Sequence, residues 1–317
     1  MPRQTNSTPI PCPRVDVVGV GLNAMDYISV VGEFPRPNSK LEIRELRLEP
    51  GGQVATALTT CRRLGLGARY IGSVGSDDLG RIQMESLRAE GLDMEFVRVV
   101  EGATSQIAFI LVEEAIGERT ILWHRDPRLQ FPASDLSRDS ISTARLLHLD
   151  GRDSEAALQA AQWAKELGIP IVIDIDRIYD PSTEKLLALV DYLVAAEDFT
   201  ARVTGQTDPE EGVRALAARY GSPVTGVTLG RRGAVFLDED RILRSSAFEV
   251  PVADTTGAGD VFHGAFIFGI LEEWQLEETI RFAHAVAAMK CMELGARAGI
   301  PSLDAARAFL KTARERS

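Results

Sequence analysis

From Arg145 onward the apolar pattern alternates between short runs and longer helical stretches, and no other feature constrains the fold as strongly. Residues 146–149, 171–175, 192–194 and 224–229 are apolar runs of strand length. Between them, 154–167, 184–190 and 208–220 carry apolar residues at helical spacing. Gly168 and Gly221 close the first and last of these helices. Such alternation predicts an α/β fold: a three-layer αβα, Rossmann-like arrangement with a mostly parallel sheet and helices on both faces. Ligands of such sheets lie beyond the carboxyl ends of the strands.

The first half repeats these elements with an interruption. Residues 15–20 and 70–74 read as buried strands, 55–64 and 78–90 as helices, with Gly91 as a stop. Residues 27–31, 41–48, 106–112 and 119–124 fit the main sheet poorly, because most of them alternate apolar and polar side chains. The phase slips between Arg44 and Glu45, which predicts a bulge or bend. We read these runs as a small β-sheet lid, inserted at about 27–50 and 104–125 into a single domain of 15–317. Residues 1–14 are polar, carry four prolines, and read as a flexible tail with no apolar signal-peptide core.

Acidic residues number 46 against 35 lysines and arginines, a net charge of -11. A general nucleic-acid surface or a contact with anionic membrane needs a basic excess, so neither partner is expected. No apolar run approaches the length of a membrane span. The cysteines, Cys12, Cys61 and Cys291, form no C-x-x-C pair, and a reducing cytoplasm is expected. The histidines show no zinc spacing.

The chemistry concentrates in Asp254-Thr255-Thr256-Gly257-Ala258-Gly259-Asp260, followed at once by the apolar stretch 261–271. Small residues at 257–259 let backbone amides approach an anion, and a helix starting there adds its positive end. Phosphoryl transfer needs this pairing: amides hold the developing charge, and a carboxylate takes the proton of the attacking hydroxyl. Alone, the segment would serve equally as a turn and a helix cap. Two acids at the entrance of a buried helix, with no obvious basic partner, favour chemistry. Gly51-Gly52-Gln53-Val54-Ala55-Thr56 suits a hinge or a close ligand approach, and also an ordinary turn. Asp26, after the first strand, has the right chemistry for sugar hydroxyls. The segment from Thr228 to Gly233 lies between two strands and by itself reads as a hairpin turn.

Together these segments resemble the ribokinase-like (phosphofructokinase-B) family of carbohydrate kinases from about residue 15 to residue 303. The specific signature is 254–265. Echoes of its ketohexokinase members lie at Asp26, Arg119-Thr120-Ile121, 148–152 and Lys290-Cys291. The resemblance implies ATP-dependent phosphorylation of a hydroxyl on a small sugar, a ketose among the candidates. Asp260 would be the base, and Gly257, Ala258 and Gly259 the anion hole. Asp26, Gly51, Gly52, Gln53 and Thr56 would contact the sugar. Arg119 would reach substrate or phosphate from the lid, or would simply be a solvated strand residue. Thr228, Gly230, Gly233 and Thr255 would lie along the nucleotide, with His284, Ala288, Met292 and Gly295 bordering adenine. Mg²⁺ is expected with ATP. Asp254 corresponds to a residue linked to a K⁺ site in some members, and Glu197 is a further metal candidate. A homodimer through the lid sheet is expected.

Two departures stand out. Asparagine is frequent in relatives where Thr56 stands, and in ketohexokinase also where Gln53 stands, so hydroxyl recognition differs. The family's N-x-x-E element reads Ala196-Glu197-Asp198-Phe199, leaving Glu197, Asp198, Asp174 or Asp176 as substitutes near magnesium. A nucleoside kinase of the same family and a non-catalytic sugar-binding relative are the alternatives. Gly19-Val20-Gly21-Leu22-Asn23-Ala24 matches the G-x-G-x-x-A of NAD-dependent oxidoreductases. That fingerprint needs a helix next, whereas 27–31 predicts a strand. Arg125, Arg128 and Arg152 are candidates for a phosphate already present on the acceptor.

Overall fold

The computed structural model describes residues 15–316; the expected tail at 1–14 lies outside them. The chain runs β1 (Val15–Val20), β2 (Ala24–Val31), β3 (Glu45–Gly51), α1 (Gln53–Arg63), β4 (Ala68–Gly75), α2 (Asp78–Ala89), β5 (Val97–Val100), β6 (Ile107–Glu113) and β7 (Arg119–His124). It continues through α3 (Arg138–Ser142), β8 (Ala144–Leu149), α4 (Ser154–Leu167), β9 (Ile171–Ile175), α5 (Pro181–Leu187), β10 (Tyr192–Ala196), α6 (Glu197–Thr204) and α7 (Pro209–Tyr220). Last come β11 (Val224–Thr228), β12 (Ala234–Asp238), β13 (Arg241–Ser245), α8 (Ala258–Leu271), α9 (Leu276–Lys290) and α10 (Leu303–Leu310).

The large sheet has the order β13-β12-β11-β10-β9-β8-β1-β4-β5. It is parallel from β11 to β5, and only β12 and β13 run antiparallel to their neighbours. Successive strand side chains point to opposite faces, and here both faces are dry. Val18, Leu147, Ile173 and Leu193 enter one core with α4, α5 and α7. Val17, Leu146, Val172 and Val194 enter the other with α1, α8 and α9. This explains why the strands read as continuous apolar runs. The chain leaves β1 for β4 on one side and returns as β8 on the other. The crevice beyond β1 and β8 is therefore a topological switch point, where ligands of such sheets collect.

The small sheet has the order β3-β2-β6-β7, with β2 and β6 parallel and the other pairs antiparallel. Its register aligns Asp26, Ala108 and Trp123 on one face and Tyr27, Phe109 and Leu122 on the other. A strand, not a helix, follows Gly19–Gly21, which removes the dinucleotide fingerprint. The strand expected at 41–48 begins only at Glu45, where the phase slip lay, and runs on to Gly51. No helix among the described residues is long and apolar enough to cross a membrane.

Candidate active site

A cleft of about 430 Å³ opens between the carboxyl ends of the parallel strands and the inner face of the small sheet. Asp174 and Asp176 at the end of β9, Ala196 of β10 and Thr228 of β11 line one side. Ala24, Asp26, Ala108, Ile110, Arg119, Ile121 and Trp123 line the other. The starts of α1 and α8 close the floor with Gly52, Gln53, Gly257, Gly259 and Asp260.

The loop before α8 is held rigidly. One oxygen of Asp254 accepts the Thr256 amide at 2.7 Å, and the other accepts the Gly295 amide at 2.9 Å. Its carbonyl accepts the fully buried Lys290 ammonium at 2.7 Å. Gly257 then takes φ 74°, a left-handed turn into α8, where an added Cβ would meet the Ala296 Cβ at 2.8 Å. Among the described residues no side chain caps α8; the Ala258 amide donates to the Thr255 carbonyl at 3.2 Å, and the amides of Gly257, Gly259 and Asp260 at the cleft have the arrangement of an anion seat. The helix behind them is buried on nearly all sides.

Asp260 lies in the first turn of α8, and its carboxyl is pushed up to about 7. Burial is the main cause and the negative neighbour Asp174 adds to it, against the pull of His263, Arg119 and Arg297. The His263 Nδ1 lies 2.8 Å from the Gly259 carbonyl and 3.5 Å from Asp174. Asp26 is also raised to about 7, chiefly by burial, with Arg297 opposing the rise. Asp174 is raised to about 7 by burial and by Asp176, while a hydrogen bond from Gln53 opposes this.

Gly51 and Gly52 turn the chain from β3 into α1. A Cβ on Gly51 would sit 2.0 Å from the Asp26 carboxylate, and one on Gly52 (φ 91°) would strike the Asn23 and Ala24 backbone. The Arg119 guanidinium donates to the Thr255 hydroxyl at 3.0 Å, and that hydroxyl donates to the Gly117 carbonyl at 3.1 Å. The turn between β6 and β7 is thereby fastened to the α8 loop.

The structure thus gathers Asp26, Gly52, Gln53, Arg119, Thr228, Gly257, Gly259 and Asp260 around one cleft. Other expected site residues sit differently. Thr56 is fully buried behind the cleft wall, where its hydroxyl accepts Arg297 at 3.3 Å. Gly51 reaches Asp26 from behind through its missing Cβ. Glu197, at the start of α6, forms an ion pair with Arg232 and is not part of the lining. Gly230, Gly233, Ala288 and Met292 lie outside the lining as well, and Met292 falls beyond the end of α9. His284 is buried against the Phe262 ring, with centroids 5.0 Å apart. Gly295 acts through its amide on Asp254. Arg125 and Arg128 pair with Asp153 and Asp126, which leaves Arg152 as the arginine of that trio in the cleft.

Sequence reasoning missed Arg297. Its buried guanidinium donates to the Asn23 side chain at 3.1 Å, to Thr56 and to the Gly51 carbonyl, and it sits in the field of Asp26. Its only sequence signal is a lone arginine in Gly295-Ala296-Arg297-Ala298-Gly299. The lining positions of Arg177 and Tyr179 were missed too.

A family model described as pfkB family carbohydrate kinase matches residues 14–303. A nucleoside kinase of Methanothermobacter thermautotrophicus is 28% identical, covering 90% of this chain and 92% of its own. The structure of a ribokinase from Thermotoga maritima superposes with a TM-score of 0.79 at 25% identity, over 94% of this chain and 100% of that one. Mouse ketohexokinase is 25% identical over 87% of this chain and 95% of its own, so the ketohexokinase echoes do not set that branch apart.

Proposed function

From the premise that this chain belongs to the pfkB family of carbohydrate kinases, we propose that it phosphorylates a sugar hydroxyl from ATP, with Asp260 as the base. The enzyme is a phosphotransferase with a hydroxyl acceptor, a sugar or nucleoside kinase. The observation that carries the finer reading is the placement of Asp260 in the first turn of the uncapped helix α8, inside the shared cleft. The acceptor lies against Asp26 under the small sheet. The terminal phosphate of ATP meets the amides at 257–259. Asp260 takes the hydroxyl proton as the phosphate is captured.

Mg²⁺ accepts one or two carboxylates beside nucleotide phosphates, and Asp174, in the field of Asp260, would provide one within the cleft. Among the described residues no group of three potential ligands forms a cage, in keeping with a metal delivered on the nucleotide. When bound, Mg²⁺ neutralises developing phosphate charge. Glu197, matched by Arg232, is left out of this role. A K⁺ ion fits Asp254 poorly, because its oxygens already accept two amides and the Lys290 ammonium. Thr228, Gly230 and Gly233 remain our assignment for the nucleotide track, with Thr255 at its phosphate end. Ala288 and Met292 remain our assignment for the adenine border.

The outer face of the small sheet exposes Leu46, Leu48, Phe109 and Leu122 at 41–61%. Tyr27 and Phe109 stack there at 5.1 Å. We assign this apolar face to a homodimer. The described cysteines, Cys61 and Cys291, are free and buried, which suits a reducing, cytoplasmic setting.

Asp260→Asn tests the central claim. ADP release over a panel of ketoses, aldoses, sugar acids and nucleosides should fall roughly 10²–10⁴-fold in the variant. Thermal stabilisation by ATP should persist. Wild-type turnover in the variant would remove Asp260 from its role. A nucleoside as the best acceptor would move the chain to the other branch, with the same base.

A further inference from the structure

We propose that the acceptor carries an oxyanion, a phosphate monoester or a carboxylate, seated by Arg152 with Arg177 at the end of the cleft away from Thr255. This deepens the kinase reading and rests on it.

Arg152 follows β8, and its guanidinium lies 5.1 Å from the Trp123 ring centroid and 4.8 Å from that of Tyr179. Aromatic contacts engage the faces of a planar guanidinium and leave its N–H edge as the hydrogen-bonding part. That edge matches the two oxygens of a carboxylate or phosphate. Among the described residues no ion pair engages Arg152 or Arg177, although both line the cleft. The nearby acids are turned elsewhere. Asp150 accepts the Leu22 and Arg152 amides at 2.6 and 2.9 Å, and Asp176 accepts the Tyr179 hydroxyl at 2.9 Å.

Position within the cleft assigns the stack to the acceptor and not to ATP. Alternate residues Arg119, Ile121 and Trp123 of β7 line the cleft. At the rise of a strand, Trp123 lies about 13 Å along from Arg119. Arg119 bonds Thr255 at the phosphate end. Trp123 pairs in register with Ala108, which pairs with Asp26. Arg152 is thus level with the residue assigned to sugar hydroxyls, and a neutral sugar would leave its edge unmatched.

The test compares each sugar of a panel in three forms: free, as its phosphate monoester and as its acid. In the wild type, kcat/KM for an oxyanion form should exceed that of its neutral parent at least tenfold. The phosphate and acid arms tell which oxyanion is used. Arg152→Gln should shrink that ratio roughly 10- to 100-fold, the worth of a hydrogen bond to a charged group. Arg177→Gln, at an exposed position outside the aromatic stack, should shift the ratio the same way, and it decides the matter if the first variant does not fold. A neutral parent preferred by the wild type overturns the proposal. So do variants that weaken neutral and charged acceptors alike. If no sugar yields ADP, the kinase reading fails, and thermal stabilisation of Asp260→Asn by the same panel decides the inference alone. Preferential stabilisation by oxyanion forms upholds it, and equal or absent stabilisation overturns it.

Discussion

Four carboxyls in and behind the cleft, Asp26, Asp150, Asp174 and Asp260, are each held near 7 against an ordinary 3.8, mainly by burial. At these four sites the folded state binds more protons than the unfolded chain between about pH 4 and pH 7, so they draw stability down as pH rises through that window, while His148, His263 and His284, lowered by burial, act in the opposite direction below about pH 6.5. Each such group contributes at most about 1.4 kcal/mol per pH unit to the decline. Asp26→Asn removes one of them. The free energy of unfolding, followed by denaturant titration from pH 4 to pH 7, should fall less steeply in the variant; equal slopes would mean that Asp26 ionises as an ordinary surface acid. The same displacement bears on catalysis, since a base that titrates near neutrality is matched to its task. None of this could be read from the one-dimensional pattern. Asp26 and Asp260 were legible as candidates because each stands in a motif. Arg297, which opposes the rise of both, was not, because its partners lie 241 and 274 residues away in the chain.

At the scale of elements, the regular parts were legible where local signals agree with burial. Helix α4 runs from Ser154 to Leu167, as the periodicity and Gly168 predict, and Gly168 takes the left-handed conformation at its end. The main strands were equally plain, because a sheet dry on both faces leaves uninterrupted apolar runs. The strand β5 and the short α6 escaped notice. Both carry charged side chains at partly exposed positions, so their apolar period is weak. Gln53 and Thr56 were both expected at the sugar; Gln53 lines the cleft, whereas helix α1 turns Thr56 into the protein. The turn that starts α1 is sensitive to change. Gly51→Ala places a methyl 2.0 Å from the Asp26 carboxylate, so one of the two must move. Such overpacking costs about 1–3 kcal/mol. The prediction is a lowered midpoint of denaturation together with a raised KM for the acceptor and a near-unchanged KM for ATP. A raised KM for ATP alone would place Asp26 on the nucleotide side of the cleft.

The whole molecule pairs a large, doubly covered sheet with a small sheet covered on one face. The row Leu48, Tyr27, Phe109 and Leu122 crosses all four strands of the small sheet, with no layer over it among the described residues. Exposed apolar area of this continuity supports the proposed homodimer. A lysine at its centre, Phe109→Lys, should convert a dimer into a monomer in small-angle scattering at assay concentration. A wild type already monomeric there would reject the dimer. One further consequence lies in the hydroxyl shared between the hairpin turn and the helix-start loop, where Thr255 accepts Arg119 and donates to Gly117. Any rise of the hairpin would have to break that fastening, together with the bond from the Thr255 amide to the same Gly117 carbonyl, while the contacts of Asp254 and Lys290 would keep the helix-start loop in place.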